Sequence, residues 1–100
     1  MSVVVTFRVP GDTARFRQFV EENPDTLSKI AETARAHGCI HHRFGVGDGE
    51  VIVIDEWESR DAFLGFFDGN PDIEAVMRDA GAQGAPEITF SEAIRSADEF

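Results

Sequence analysis

The side chains best suited to chemistry in this chain sit on two adjoining segments. Cys39-Ile40-His41-His42-Arg43-Phe44-Gly45-Val46 holds two of the three histidines and the single cysteine. After Gly47-Asp48-Gly49 comes Glu50-Val51-Ile52-Val53-Ile54-Asp55-Glu56-Trp57. Asp-Gly supplies the positive φ angles of a type I′ turn, so the two segments predict a β-hairpin. With Asp48-Gly49 at the turn centre, His42 faces Asp55, Phe44 faces Val53, Ile40 faces Trp57 and Val46 faces Val51, all on one side. On the other side His41 faces Glu56, Arg43 faces Ile54 and Gly45 faces Ile52. A three-residue loop with a bulge would shift this register.

The first side gives an imidazole and a carboxylate ringed by Ile40, Phe44, Val53 and Trp57. A carboxylate orients an imidazole, and such a pair can take or deliver a proton on an aromatic or enolisable substrate. His42 and Asp55 are therefore the candidate catalytic residues, with Ile40, Phe44, Val53 and Trp57 as the candidate substrate pocket. The same two residues would also satisfy each other as a cross-strand polar pair in a core. The second side, His41, Arg43 and Glu56 with Thr6, Arg8 and Ser91 or Thr89 nearby, suits a wet cavity or a subunit interface. No metal site is expected. His41 and His42 are adjacent on a strand and point to opposite faces, so they cannot share one ion. Gly45 to Gly49 opens no helix and is no phosphate loop. His37 suits a helix end, and Cys39, without an activating partner, reads as buried filler.

Other elements must position these groups. Ser2 to Val9 is rich in β-branched residues and closed by Pro10-Gly11, a strand signature. Asp12 suits an N-cap, and Ala14, Phe16, Phe19 and Val20 share one helical face. Asn23-Pro24-Asp25 interrupts that helix and restarts it, because Asn caps and Pro fits the first helical position. Leu27, Ile30, Ala31 and Ala34 carry the stripe to Gly38. A second helix follows Ser59 with Phe63, Leu64, Phe66 and Phe67, restarts at Asn70-Pro71-Asp72, and runs to Gly81. Glu87 to about Ile94 is the last strand. A shift of 47 residues places Phe16 on Phe63, Phe19 on Phe66, and Asn23-Pro24-Asp25 on Asn70-Pro71-Asp72. Two βαβ halves thus interleave as an α+β, ferredoxin-like βαββαβ sandwich, a four-stranded antiparallel sheet with its helices on one face.

The chain has 100 residues, enough for one domain. Residues 1–95 are read as that domain and 96–100 as an acidic tail. Nine basic residues against nineteen acidic ones give a formal charge of -10, which repels nucleic acid and anionic membranes. No stretch reaches the ~18 apolar residues of a membrane span, and no basic leader precedes an apolar run. One cysteine allows no internal disulfide. The expectation is a soluble, reduced, cytoplasmic protein. Both faces of the strands are apolar: Val3, Val5 and Phe7 alternate with Val4, while Val51 and Val53 alternate with Ile52 and Ile54. The helices cover only one face, so the other calls for a second copy and a homodimer packed sheet to sheet.

The element order, the run Val53-Ile54-Asp55-Glu56-Trp57-Glu58-Ser59 leading into Ala62-Phe63, and the strand Pro86-Glu87-Ile88-Thr89 resemble the dimeric α/β-barrel proteins. More narrowly they are similar to the antibiotic-biosynthesis-monooxygenase-like domain, from Val3 to about Ile94. That superfamily includes cofactor-independent quinone-forming monooxygenases, haem-degrading enzymes, cyclases and isomerases. The resemblance implies a monooxygenase-like enzyme that needs no cofactor and acts on a small aromatic or polyketide-like molecule in a barrel cavity. This sequence departs from the better-known members: it has no Tyr, no Asn on the first strand, and no placeable Asn/Trp/His set for haem. A dimeric small-ligand-binding or structural module without catalysis is the alternative.

Overall fold

The computed structural model describes all residues, 1–100. The elements follow the chain as β1 (Val3–Pro10), α1 (Thr13–Glu22), α2 (Pro24–Ala36), β2 (Cys39–Val46), β3 (Glu50–Trp57), α3 (Arg60–Phe67), α4 (Pro71–Asp79) and β4 (Glu87–Glu92). The strands form one sheet in the order β2-β3-β1-β4, and every neighbouring pair is antiparallel. This is the ferredoxin-like arrangement expected from the element order.

Each crossover is two helices rather than one, for a local chemical reason. Asn23 ends α1, donating its backbone N–H to Phe19 O, and Pro24 then opens α2. The second crossover divides the work. Asp68 ends α3, donating its backbone N–H to Leu64 O. Asn70 caps α4 before Pro71, its Oδ1 accepting from the N–H groups of Asp72 and Ile73, a side-chain cap that Asn23 does not make for α2. Both asparagines also donate Nδ2 to the carbonyl four residues back, Asn23 to Phe19 O and Asn70 to Phe66 O. That Nδ2 bond is the geometry the two halves share. Asp12 and Ser59 cap α1 and α3, accepting from Arg15 N and Ala62 N.

The helices cover a single face of the sheet. Val5, Cys39 and Trp57 from the strands pack with Ala34, Phe63 and Phe66 from the helices, and a smaller cluster joins Val51 to Phe16 and Ala80. Ring contacts stitch the larger cluster: Phe63 stacks on Phe67 at 5.2 Å and meets Phe90 edge-on at 5.6 Å.

Three boundaries differ from the sequence reading. The first strand is Val3–Pro10 rather than Ser2 to Val9. The last ends at Glu92 rather than near Ile94: Glu92 pairs with Val3, the first residue of β1, and only one further bond, Ala93 N–H to Ser2 O at 3.0 Å, continues past it. The largest difference is in the hairpin. From His41 to Val46 the pairing is the expected one, with His42 opposite Asp55, Phe44 opposite Val53 and His41 opposite Glu56. A bulge then intervenes, and Trp57 pairs with Cys39, not with Ile40. The bulge places the small Cys39 side chain under α2, beside Ala34 and Trp57, where an isoleucine would need more room. Gly38 makes the approach possible: its φ is +114°, and a Cβ there would lie 3.1 Å from Glu58 Oε2.

Candidate functional site

Which face carries which group follows from the ladder. Asp55 pairs with Val5 and Trp57 with Val3, so the His42 and Asp55 side lies under the helices with the buried Val5, Phe7 and Val9. His41, Arg43 and Glu56 lie on the opposite, uncovered face. His42 sits on β2, an edge strand of the sheet, with 41% of its side chain exposed, whereas the Asp55 side chain is only 9% exposed. The Nδ1–H of His42 donates to Asp55 Oδ1 at 2.7 Å. An ionised carboxylate only accepts, so this contact places the ring proton on Nδ1. Nε2 makes no hydrogen bond, and in the neutral ring it carries the lone pair. The second carboxylate oxygen, Oδ2, accepts from the indole N–H of Trp57 at 3.0 Å.

Aromatic rings frame the imidazole. His42 meets Phe44 edge-on at 4.7 Å, and Phe44 meets Phe16 of α1 edge-on at 5.0 Å. The pair thus has a buried anchor, an apolar flank and an accessible basic nitrogen, which is the outline of a general base. Of the four proposed pocket residues, Phe44 and Val53 share this face and are half-buried. Ile40 does not belong with them. The bulge takes it out of register, it is 42% exposed, and it lines a separate concavity at the sheet end with Met1 and Ile94. Trp57 is 1% exposed and presents no surface to a ligand; its hydrogen bond to Asp55 is a contact the sequence reading missed. The i, i+2 spacing signals only that both side chains share one face of β3, not the bond itself.

Burial acts on Cys39 in the same neighbourhood. Desolvation, reinforced by the negative charge of Asp55, pushes its thiol up from 9.0 to about 11. The folded value lies above the unfolded one, so the unfolded chain releases the proton first and stability falls as pH rises from 9 towards 11. With no Tyr in the chain and Lys29 as its only lysine, Cys39 dominates that window. Urea titrations should show a loss on the order of 2 kcal/mol over it, and a Cys39→Ala protein should show a nearly flat profile. Equal slopes in both proteins would contradict this.

On the uncovered face, Glu56 engages neither His41 nor Arg43. Its Oε2 accepts from Ser2 Oγ at 2.6 Å and from Arg95 Nη2 at 3.3 Å, and Arg95 Nη1 also donates to Glu99 at 2.6 Å. The start and end of the chain are thereby tied to the middle of the sheet. His41 and Arg43 stay exposed beside the half-exposed Ile54.

Two concavities stand out, and neither includes His42 or Asp55. One of about 600 Å³ lies between the helix pairs, floored by Phe19, Ile30, Phe66 and Val76. The other, about 570 Å³, is the one at Ile40. No group of three or more His, Cys, Asp or Glu side chains is placed to hold a metal ion. No helix is long and apolar enough to cross a membrane.

No protein-family model matches the sequence, and no curated protein matches it either. Solved structures do match in fold. The ActVA-Orf6 monooxygenase of Streptomyces coelicolor, solved with nanaomycin D, superposes with a TM-score of 0.70 at 20% identity, covering 99% of this chain and 93% of that one. SnoaB, a cofactor-independent oxygenase from Streptomyces nogalater, gives 0.58 at 19% identity, covering 98% and 96%. The NE2512 protein of Nitrosomonas europaea, of unknown function, gives 0.64 at 16% identity, covering 99% and 95%. At these identities the likeness concerns architecture. The chain shares the fold of these antibiotic-biosynthesis monooxygenase structures.

Proposed function

We propose that this chain is a cofactor-independent monooxygenase-like enzyme acting on a small aromatic or polyketide-like molecule, with His42 as its base and Asp55 as the anchor of that base. The observation that carries the reading is the partly exposed imidazole of His42, whose Nδ1 is held by a buried carboxylate while Nε2 makes no hydrogen bond. The nanaomycin D bound to one fold relative and the cofactor-independent oxygenase activity of another support the substrate class and the reaction. In the reaction, His42 Nε2 takes a proton from an activated C–H or O–H of a hydroxylated anthrone or quinol, which raises the electron density of the ring. Molecular oxygen is the oxidant. With an anthrone, a ring CH₂ becomes C=O; one oxygen atom enters the product and the other leaves as water. Phe44, edge-on to the imidazole, and Val53 would flank the ring. A homodimer closed through the uncovered sheet face belongs to the same reading.

Oxygen uptake with a panel of hydroxylated anthrones and quinols tests it. Loss of a positioned base is expected to lower the rate of His42→Ala by about 10²- to 10⁴-fold. Background rates from both proteins would overturn the enzymatic reading.

A binding module without turnover is the second reading. It is favoured by the 600 Å³ concavity between the helix pairs, which has an aromatic floor and lies away from the His42–Asp55 pair. Its mark would be a ligand-dependent rise in Tm with no oxygen consumed.

A further inference from the structure

We infer that Trp57 is a positioning residue: its indole N–H holds the Asp55 carboxylate in the orientation that keeps the proton of His42 on Nδ1 and leaves Nε2 unprotonated. This deepens the reading of His42 as a base, and rests on it for any effect on turnover. Three observations converge. Trp57 and Asp55 lie two residues apart on β3 and share its helix-facing side, while His42 stands opposite Asp55 on β2. The chain of donors runs one way, from Trp57 Nε1 to Asp55 Oδ2 at 3.0 Å and from His42 Nδ1 to Asp55 Oδ1 at 2.7 Å. Each carboxylate oxygen has one side-chain donor, so the carboxylate plane is fixed from both ends.

Trp57 is itself immobile. Phe63 meets it edge-on at 5.5 Å, Phe66 lies tilted over it at 5.3 Å, and the residue is 1% exposed. The indole cannot swing away without opening the core, and no water-exposed position is available to its N–H. The three groups therefore differ in their freedom: a locked donor, a carboxylate fixed by it, and an imidazole with one nitrogen facing out. Asp55 alone, held only by the partly exposed His42, could rotate its oxygens about the Cβ–Cγ bond. The second donor removes that freedom, and second partners of this kind set the tautomer of a histidine. Trp57 touches no open surface, so its role runs entirely through Asp55.

Because Trp57 is the only tryptophan, the chain can be made in a tryptophan auxotroph fed β-(3-benzothienyl)alanine. That residue keeps the shape of the indole and has sulfur where the N–H was. Imidazole ¹⁵N shifts, read at about pH 9 where ordinary imidazoles are neutral, report the Nδ1–H to Nε2–H ratio of each histidine. His42 in the unmodified chain is expected to be overwhelmingly Nδ1–H. The sulfur chain should lower that ratio by about fivefold or more. His37 is the internal control: its Nδ1–H donates to Thr33 O at 2.8 Å, with no hydrogen bond to Trp57 or Asp55, and should not change. Trp57→Phe gives a second, encodable route to the same loss. An unchanged His42 ratio in a folded sulfur chain would overturn the inference, as would equal changes at His37 and His42. The ¹⁵N readout needs no substrate. A His42→Ala protein that consumes oxygen normally would end the enzymatic reading while leaving this measurement to stand or fall separately.

Discussion

Trp57→Ala is expected to remove about 4 kcal/mol of folding stability, the largest loss from any single substitution in the chain. Large aromatic-to-alanine changes in cores cost roughly 3–5 kcal/mol, through lost transfer energy and the cavity left behind. Trp57 belongs at the upper part of that range for two reasons. Its ring is clamped by Phe63 and Phe66 and shares a cluster with Val5, Ala34 and Cys39, so the site has little freedom to collapse. Its loss also strips Asp55 Oδ2 of its donor while the carboxylate stays buried, at a further cost of roughly 1–3 kcal/mol. Domains of this size have about 5–15 kcal/mol in total, so the variant should lie near the edge of folding. Trp57→Phe keeps most of the packing and should lose about half as much. Urea unfolding followed by far-ultraviolet circular dichroism measures both, since the variants lack the fluorophore. A loss below about 1.5 kcal/mol for Trp57→Ala would mean that the core closes around the gap, and that the ring contacts do not bind the sheet to α3.

The hairpin shows how far local chemistry carries and where it stops. The turn forms at Asp48-Gly49 but not as the expected type I′: Gly49 has φ +70° while Asp48 stays out of the left-handed region, and six of the seven expected pairs hold all the same, including His42 opposite Asp55. The seventh, Ile40 with Trp57, failed because a bulge reflects the room under α2, and that room is set by Ala34 and by residues far along the chain. The helix restarts were legible because Pro at the first helical position, with no N–H to leave unpaired, acts locally at both; the expected Asn side-chain cap is made only by Asn70, not by Asn23. The face of the sheet was not legible. Apolar residues occupy both sides of β1 and β3, so alternation could not say whether the His42 side or the His41 side lay under the helices. Nor could spacing reveal the Trp57–Asp55 hydrogen bond. Sharing a face at i, i+2 brings the two side chains near, but the direction of the indole is decided by Phe63 and Phe66 from another element. The link from Glu56 to Ser2 and Arg95 escaped for the same reason, because it joins residues 54 and 39 positions apart.

The uncovered sheet face leads to the second large effect: Ile54→Asp is expected to weaken self-association by about 10³-fold. Ile54 is 51% exposed and neighbours the half-buried Val4 and Ile52 on that face, with His41, Arg43 and Arg8 around it. A formal charge of -10 per chain opposes bringing two copies together, so association has to draw on apolar area at the centre of the face. In a two-fold dimer the interface is isologous, and one substitution acts twice. If each buried, unpaired carboxylate costs about 2 kcal/mol after partial rehydration, the pair costs about 4 kcal/mol, which corresponds to the stated factor. The monomer fold should hardly notice, because the side chain is half in water already. Added salt should tighten the unmodified dimer by screening like charges, whereas an interface made mainly of ion pairs would loosen. Sedimentation equilibrium on the two proteins at several salt concentrations separates these cases. A single-chain mass for the unmodified protein at micromolar concentration would refute the dimer. Equal dissociation constants for the two proteins would place any association elsewhere, leaving Val4, Ile52 and Ile54 as an open sheet face.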